Sequence, residues 1–357
     1  MELFTLLIAV LLVPYMLIGT LILVFGRKQN IEKNREYKPS VTVFIPTYNE
    51  EAYIEAKLDN ILSQTYPVEE ILIYDCSTDN TSYLVEQYAC RYPLIKLIRQ
   101  SARIGAARTF NQALSEARGE IIIKTDADVM LKSDTAIADL VSNFSDSEIG
   151  GVCAVYVKEQ GIEKYYRRLM TMIQVAESNI DSTVIAHTGL LALRKSATTF
   201  VDSDSMAEDT EEFILLRKKS FRTIIDMSVK AEEEIPKSFV LRRRQRDRRA
   251  QGIIKAIIRN KDVFFNSRFG RYGFIVFPVE LFIIAFSPFV LLGAAAVLAY
   301  TLYVSNPLLL GFLAVPLVLM ISRTSILYAA VDTQISGLVA TFKFATNKDE
   351  PLWKKVR

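Results

Sequence analysis

A single histidine, His187, occurs in 357 residues, which excludes a metal site built from several imidazoles and leaves any Ser-His-Asp triad dependent on that one residue. Three cysteines, Cys76, Cys90 and Cys153, are odd in number and lack C-x-x-C spacing, so neither a disulfide framework nor a zinc site is expected. G-x-G-x-x-G and G-x-x-x-x-G-K-[ST] are both missing, which removes support for a dinucleotide fold or a P-loop. Charge is missing over two long stretches, residues 3–25 and 281–322. The net charge of +3 says little about partners, and no nucleic-acid partner is expected.

A run of ~20 apolar residues crosses a bilayer as a helix, so both uncharged stretches are membrane candidates. The first is too long for a signal peptide, has no basic n-region and is followed by no small-x-small site, and it reads as a retained anchor over 1–26. Arg27, Lys28, Lys33, Arg35 and Lys38 follow it, which puts the chain beyond residue 27 in the cytoplasm. Near the C-terminus, Pro278, Glu280 and Pro288 interrupt an apolar region. It reads as an interfacial helix over 274–284, a spanning helix over about 285–304 and another over 306–322. The mixed stretch 324–345, before a basic tail with Lys348, Lys354, Lys355 and Arg357, reads as interfacial. The expected organisation is an anchor (1–26), a cytoplasmic α/β domain (38–240), basic and interfacial segments (241–284), a membrane region (285–345) and a basic cytoplasmic tail (346–357). Such a chain is a multi-pass protein of the cell (plasma) membrane, in contact with membrane lipids.

Between 40 and 157 short β-rich runs (VTVFI 41–45, ILIY 71–74, LIKLI 94–98, EIIIK 120–124, VCAVYV 152–157) alternate with helical stretches over 50–62, 80–92, 106–117 and 135–144. This alternation predicts βαβ units and a mostly parallel sheet. Ligands of such sheets bind beyond the carboxyl ends of the strands. Pro46, Thr47, Tyr48, Asn49 and Glu50 follow the first run, Asp75 the second, Asp126 and Asp128 the fourth.

Two carboxylates on a turn leaving a strand suit a hard divalent cation, Mg²⁺ or Mn²⁺, whose other ligands are phosphate oxygens; the same residues also suit a helix cap and a solvated acid. Glu208 and Asp209 precede an amphipathic helix, where acids also serve the helix dipole. Six arginines fall within 242–249, either as a collar at anionic headgroups or as a clamp on a diphosphate. Arg103 stands before a helix start suited to anions.

The order "VFIPTYNE", "ILIYDCSTDNT", "GEIIIKTDADVML", "HTGLLALRK", "AEDTEE" and "QRDRR" resembles the membrane-bound family-2 glycosyltransferases, in the branch of the cellulose, chitin and hyaluronan synthases. The resemblance covers about residues 40–260. It implies the GT-A fold: an α/β domain that binds a nucleotide sugar at the cytoplasmic face of a membrane. Pro46, Thr47, Tyr48, Glu50, Asp75 and Arg103 would then hold the nucleotide sugar. Asp126 would lie near its diphosphate, and Asp128 with Asp126 would hold the metal. Asp209, beside Glu208, would be the general base of an inverting displacement. Gln245, Arg248, Arg249 and His187 would line the acceptor or clamp the diphosphate.

Relatives of that branch carry Q-x-x-R-W, whereas this chain has Arg249 in the tryptophan's place. An arginine offers a planar cation rather than an indole face. With so lean a membrane region, the expectation is single addition of a sugar, from a donor inclined toward UDP, to a lipid or lipid-linked glycan acceptor. A processive polysaccharide synthase and a non-catalytic nucleotide-sugar sensor are the alternatives.

Overall fold

The computed structural model describes residues 2–26, 29, 31–157, 162–186, 189–233, 239–305 and 326–346. Its centre is an eight-stranded sheet: β1 (Val41–Thr47), β2 (Glu70–Asp75), β3 (Ile95–Arg99), β4 (Ile121–Thr125), β5 (Val129–Leu131), β6 (Ile149–Tyr156), β7 (Leu190–Arg194) and β8 (Arg222–Glu233), in the order β3-β2-β1-β4-β7-β6-β8-β5. The five apolar runs all form strands. The sheet is mixed rather than mostly parallel. The pairs β1/β2, β2/β3, β1/β4 and β6/β8 are parallel, whereas β4/β7, β6/β7 and β5/β8 are antiparallel. The antiparallel pairings involve β5, β7 and β8, of which β5 is only three residues long and β8 is interrupted by polar residues.

Both sheet faces are covered. On β1, Val41, Val43 and Ile45 pack on one side against α2 (Ile54–Leu62), α3 (Thr81–Arg91) and α5 (Ala136–Ser142). Phe44 packs on the other, against α4 (Ala106–Glu116), in the same cluster as Phe213 of α7 (Glu208–Lys218). Ile121, Ile122 and Ile123 of β4 are fully buried, each worth about 1.5–3 kcal/mol relative to exposure. Their burial on alternating faces fixes the register, and with it the face to which Lys124 points.

The remaining helices build a second layer. The N-terminal helix α1 (Glu2–Phe25) runs beside α6 (Ile162–Ile180), where Asn179 Nδ2 donates to Phe25 O at 2.7 Å. Helix α8 (Phe239–Arg259) carries the arginine run. Helix α9 (Tyr272–Val304) is continuous, so the expected division into 274–284 and 285–304 is not observed. Pro278 and Pro288 each sit just beyond a wide π-turn, Tyr272–Val276 and Phe282–Phe286. Such turns take up the missing N–H and the ring's clash with the preceding turn. The stretch expected to be interfacial forms helix α10 (Ile326–Ala345); its Asp332 is buried against Arg243 (2.7 Å) and Arg246 of α8, which accounts for the mixed polarity. Among the described residues α9 alone is long and apolar enough to cross a membrane, and Val13–Phe25 is a shorter apolar stretch. The expected span 306–322 and the tail beyond 346 lie outside the described residues.

Candidate active site

The carboxyl ends of β1, β2 and β4 open on one cavity of about 790 Å³. Pro46, Thr47, Tyr48 and Glu50 line it from the end of β1. The turn holding them is pinned to the loop after β2. Asn49 adopts φ +56°, a conformation asparagine tolerates better than most side chains, and its Oδ1 accepts from Thr78 N at 2.8 Å. Ser77 Oγ accepts from Asn49 N (2.7 Å), and Thr81 Oγ1 accepts from Glu50 N (2.8 Å).

Asp75 does not line the cavity. It is buried beneath it, accepting from Thr47 Oγ1 (2.7 Å), Ser77 and Ser82. Three hydroxyls satisfy its carboxylate, so its observed contacts position the two loops instead of facing a base. Arg103 stacks over the Tyr48 ring at 4.1 Å, on the cavity wall.

Asp126 and Asp128 both face the cavity. Burial pushes the Asp126 carboxyl far above its ordinary value, and the neighbouring acids Asp128, Asp209 and Glu233 push the same way. This local excess of negative charge is what a divalent cation relieves, so the donor set fits one. Among the described residues no three His, Cys, Asp or Glu side chains converge as a metal cage. A cation held by the two aspartates would take further oxygen ligands from substrate and water, as suits Mg²⁺ or Mn²⁺.

Two features that fix this turn carried no sequence-level assignment. Lys57 of α2 is fully buried beneath it, donating to Thr125 Oγ1 (2.8 Å) and Val129 O (2.5 Å), so that it brackets Asp126-Ala127-Asp128. Burial pulls its ammonium down to about 7 against the pull of Asp126 and Asp128. Helical spacing exposes the signal: Lys57 lies on the face of Ile54, Leu58 and Ile61. Gly189 is the second. A Cβ there would come within 2.5 Å of Asp126 Oδ2, while Gly189 O accepts from Asp126 N at 3.1 Å. Gly189→Ala is expected to displace the Asp126 carboxylate and to lower turnover about 100-fold, with the circular dichroism spectrum unchanged; a near-normal rate would remove Asp126 from the reaction centre.

Asp209 and Glu208 open helix α7 at the cavity. Lys124, the polar end of the isoleucine run, is buried and forms ion pairs with Asp209, with Glu208 (3.3 Å) and with Glu212 (3.2 Å), its ammonium 4.9 Å from the Phe110 ring centroid. Of the three acids Asp209 is the most open, its side chain 28 % exposed against 16 % for Glu208 and none for Glu212. Burial pushes Asp209 up to about 6, with Lys124 opposing and Glu208 assisting. Burial also pushes Glu208 up, but Lys124, a backbone amide and Arg248 outweigh it and hold Glu208 low. Glu212 is pushed up to about 8 by burial, against the pull of Lys124.

Gln245, Arg248 and Arg249 of α8 face the same cavity. Burial lowers the Arg248 pKa, and neighbouring Arg249 and Arg103 lower it further, as expected of cations gathered around an anion site. Arg249 lines the cavity already paired. Glu233 Oε1 accepts from it at 3.0 Å, and Glu233 Oε2 lies 3.3 Å from Arg167, which stacks over the Tyr156 ring. His187 lies outside the described residues.

The site therefore joins acids that fit a cation, two arginines suited to phosphate and a carboxylate poised to take a proton. The family model for glycosyl transferase family 2 matches residues 42–225. Beta-monoglucosyldiacylglycerol synthase of Nostoc sp. is 32 % identical over 164 residues, 44 % of this chain and 34 % of that protein. The poly(ribitol-phosphate) beta-N-acetylglucosaminyltransferase TarS of Staphylococcus aureus is 33 % identical over 97 residues, 26 % of this chain and 17 % of that one. The chain spans about a third of the length of the first curated relatives it matches. A mannosyltransferase from Pyrobaculum calidifontis, solved in complex with GDP-Man and Mn²⁺, superposes with a TM-score of 0.80 at 26 % identity, over 96 % of this chain and all of that one. The fold is GT-A. The branch of the cellulose and chitin synthases is not singled out by these likenesses.

Proposed function

The chain belongs to glycosyl transferase family 2, and on that premise we propose that it is an inverting transferase that moves one sugar from a nucleoside-diphosphate sugar to the hydroxyl of a lipid or lipid-linked acceptor. The observation that carries this is the position of Asp209. It lines one cavity together with Asp126, Asp128, Arg103 and Arg248 and with Ile283, Ile284 and Gly337 of α9 and α10.

Pro46, Thr47, Tyr48 and Glu50, with Arg103 stacked on Tyr48, hold the nucleotide, while Asp75 fixes the loops beneath. Asp126 and Asp128 hold Mg²⁺ or Mn²⁺, which supplies charge neutralisation of the departing diphosphate. Arg248 and Arg103 stabilise the same developing charge electrostatically. Asp209 accepts the acceptor's hydroxyl proton as that oxygen bonds to the anomeric carbon, and the bond from that carbon to the diphosphate oxygen breaks. Lys124, held by Glu208 and Glu212, orients Asp209. Gln245 borders the acceptor, and Arg249 reaches it as a guanidinium already paired with Glu233.

The likeness across almost the whole chain to a protein solved with GDP-Man and Mn²⁺ favours a GDP-sugar over the UDP-sugar suggested by sequence. The diacylglycerol named in the Nostoc relative supports a lipid acceptor. Membrane association is supported by Phe286, Phe289, Leu292 and Tyr303 exposed along α9, and by Leu17 and Val24 on α1. On this reading 38–240 is the catalytic domain, cytoplasmic, with membrane-facing helices on either side.

The test is nucleoside diphosphate release from GDP-mannose and UDP-sugars by the full chain in lipid, with and without Mn²⁺. Metal-dependent release from one donor, with a single sugar recovered in lipid, is expected. A ladder of oligosaccharides would instead mark a processive synthase, and saturable donor binding without turnover a sensor.

A further inference from the structure

Asp126 owes its position to a contact one step behind the cavity. Gly189, the residue before β7, stands opposite Asp126 at the end of the β4/β7 ladder, in which Thr125 pairs with Leu190. Its O accepts from Asp126 N at 3.1 Å, and its N donates to Tyr156 Oη at 2.7 Å. The missing side chain makes room for the Asp126 carboxylate and for Val129 alike: a Cβ would meet Asp126 Oδ2 at 2.5 Å and Val129 Cγ2 at 2.9 Å. Gly189 is therefore gripped between two partners, a candidate metal ligand on one side and the phenol that ends β6 on the other. Tyr156 is 7 % exposed and does not line the cavity.

Tyr156 is itself held in place. The Arg167 guanidinium of α6 lies over its ring, 4.4 Å from the centroid. Arg167 pairs with Glu233 Oε2 at 3.3 Å, and Arg249 of α8 pairs with Glu233 Oε1 at 3.0 Å, closing the far side of the group. Glu233 ends β8, where its backbone is paired with Val129 of β5, and Ala231, two residues earlier, is paired with Tyr156. Both ends of the Asp126–Val129 turn thus run to the same few residues. Asp126 reaches Tyr156 through Gly189, and Val129 reaches Glu233 through the β5/β8 ladder. A ring packed in this way keeps its hydroxyl against Gly189 N, as a site that must hold its geometry requires.

We propose that Tyr156 is a positioning residue for the divalent cation: through Gly189 it fixes Asp126 at the separation from Asp128 that the cation requires. The proposal rests on the reading of Asp126 and Asp128 as metal ligands and adds the group that sets their geometry. Ligating carboxylates depend on such outer partners, and losing one costs about 10–100-fold in metal affinity or activity. Tyr156→Phe keeps the ring under Arg167 and removes a single oxygen. Gly189 N then loses its acceptor, and an amide deprived of its partner favours a shift of the segment that carries it. Asp126, bonded to Gly189 O, moves with that segment. Phenol and phenyl are both uncharged near neutrality, so a change in metal affinity reports geometry.

The test is a Mn²⁺ titration of the full chain in lipid, without donor, followed through the electron paramagnetic resonance signal of free Mn²⁺. Tyr156→Phe is expected to bind the ion about tenfold more weakly than the unaltered chain, and the Mn²⁺ concentration for half-maximal sugar transfer should rise by the same factor. Tyr66→Phe is the control for a merely structural loss. Tyr66 Oη donates to Pro39 O at 2.5 Å in the core and does not line the cavity, so its replacement should lower the melting temperature and leave Mn²⁺ affinity unchanged. Unaltered affinity in Tyr156→Phe, or an equal weakening in Tyr66→Phe, overturns the proposal while the metal reading stands. If the unaltered chain binds no Mn²⁺, the metal reading falls and the proposal falls with it.

Discussion

Asp209→Asn is expected to lower sugar transfer by about 10²–10⁴-fold, the usual contribution of a general base, while nucleotide-sugar binding survives. Asparagine keeps the shape and can still accept from Lys124, but it takes no proton from an attacking hydroxyl. The pH dependence follows with a definite sign. Asp209 must be ionised to act, and burial has pushed it up to about 6. The rate should rise as pH increases toward about 6 and stay flat above it. A cation held by nearby Asp126 and Asp128 adds positive charge and can only move this acid limb downward. Glu212→Gln is the control. Glu212 is fully enclosed and pushed up to about 8, so it already carries a proton near neutrality. Its replacement should leave the acid limb in place. Initial rates from pH 4.5 to 8.5 decide the matter: a limb retained in Asp209→Asn, or lost in Glu212→Gln, moves the base elsewhere.

Why Asp209 was legible in the sequence and its partner was not is a matter of where charges lie. Runs such as VTVFI and EIIIK are short, apolar and bounded by polar helices, and the strands that follow from them agree within three residues at every end. Acids at strand ends stand out because a parallel sheet puts its ligands there. Strands β5, β7 and β8 were hidden for the opposite reason: their pairing is set by partners distant in the chain, as when β8 joins β6 and β5. Lys57 and Lys124 were each in view as cations on otherwise buried faces. A lysine is almost never fully buried unless paired, so each announced partners that only the fold could name. The surroundings of Arg249 were not legible, since nothing near it in sequence discloses that Glu233 pairs with both it and Arg167.

The largest loss of stability is expected from Lys124→Met. The change conserves apolar bulk against Phe110 but strips three enclosed carboxyls of their shared cation. Removing one partner of a buried ion pair typically costs about 3–5 kcal/mol. The cost should depend on pH in one direction. A carboxyl whose folded pKa is raised contributes stability below its unfolded value, and this is lost as pH rises through the folded value. For Glu212 that window runs from the ordinary 4.5 to about 8, and for Asp209 from 3.8 to about 6. Without Lys124 both move higher, because the opposing influence in each case was Lys124 itself. The variant's deficit in melting temperature should therefore be greatest near pH 8 and shrink toward pH 5, where the acids are protonated and no longer repel. Lys124 itself is held well above its ordinary value, so its own titration lies outside this range and does not disturb the comparison. Melting curves of the two proteins at pH 5, 6.5 and 8 test this. A deficit that is constant or grows toward pH 5 would falsify the view that Lys124 holds the three acids in their ionisation states, and with it the account of how Asp209 is poised.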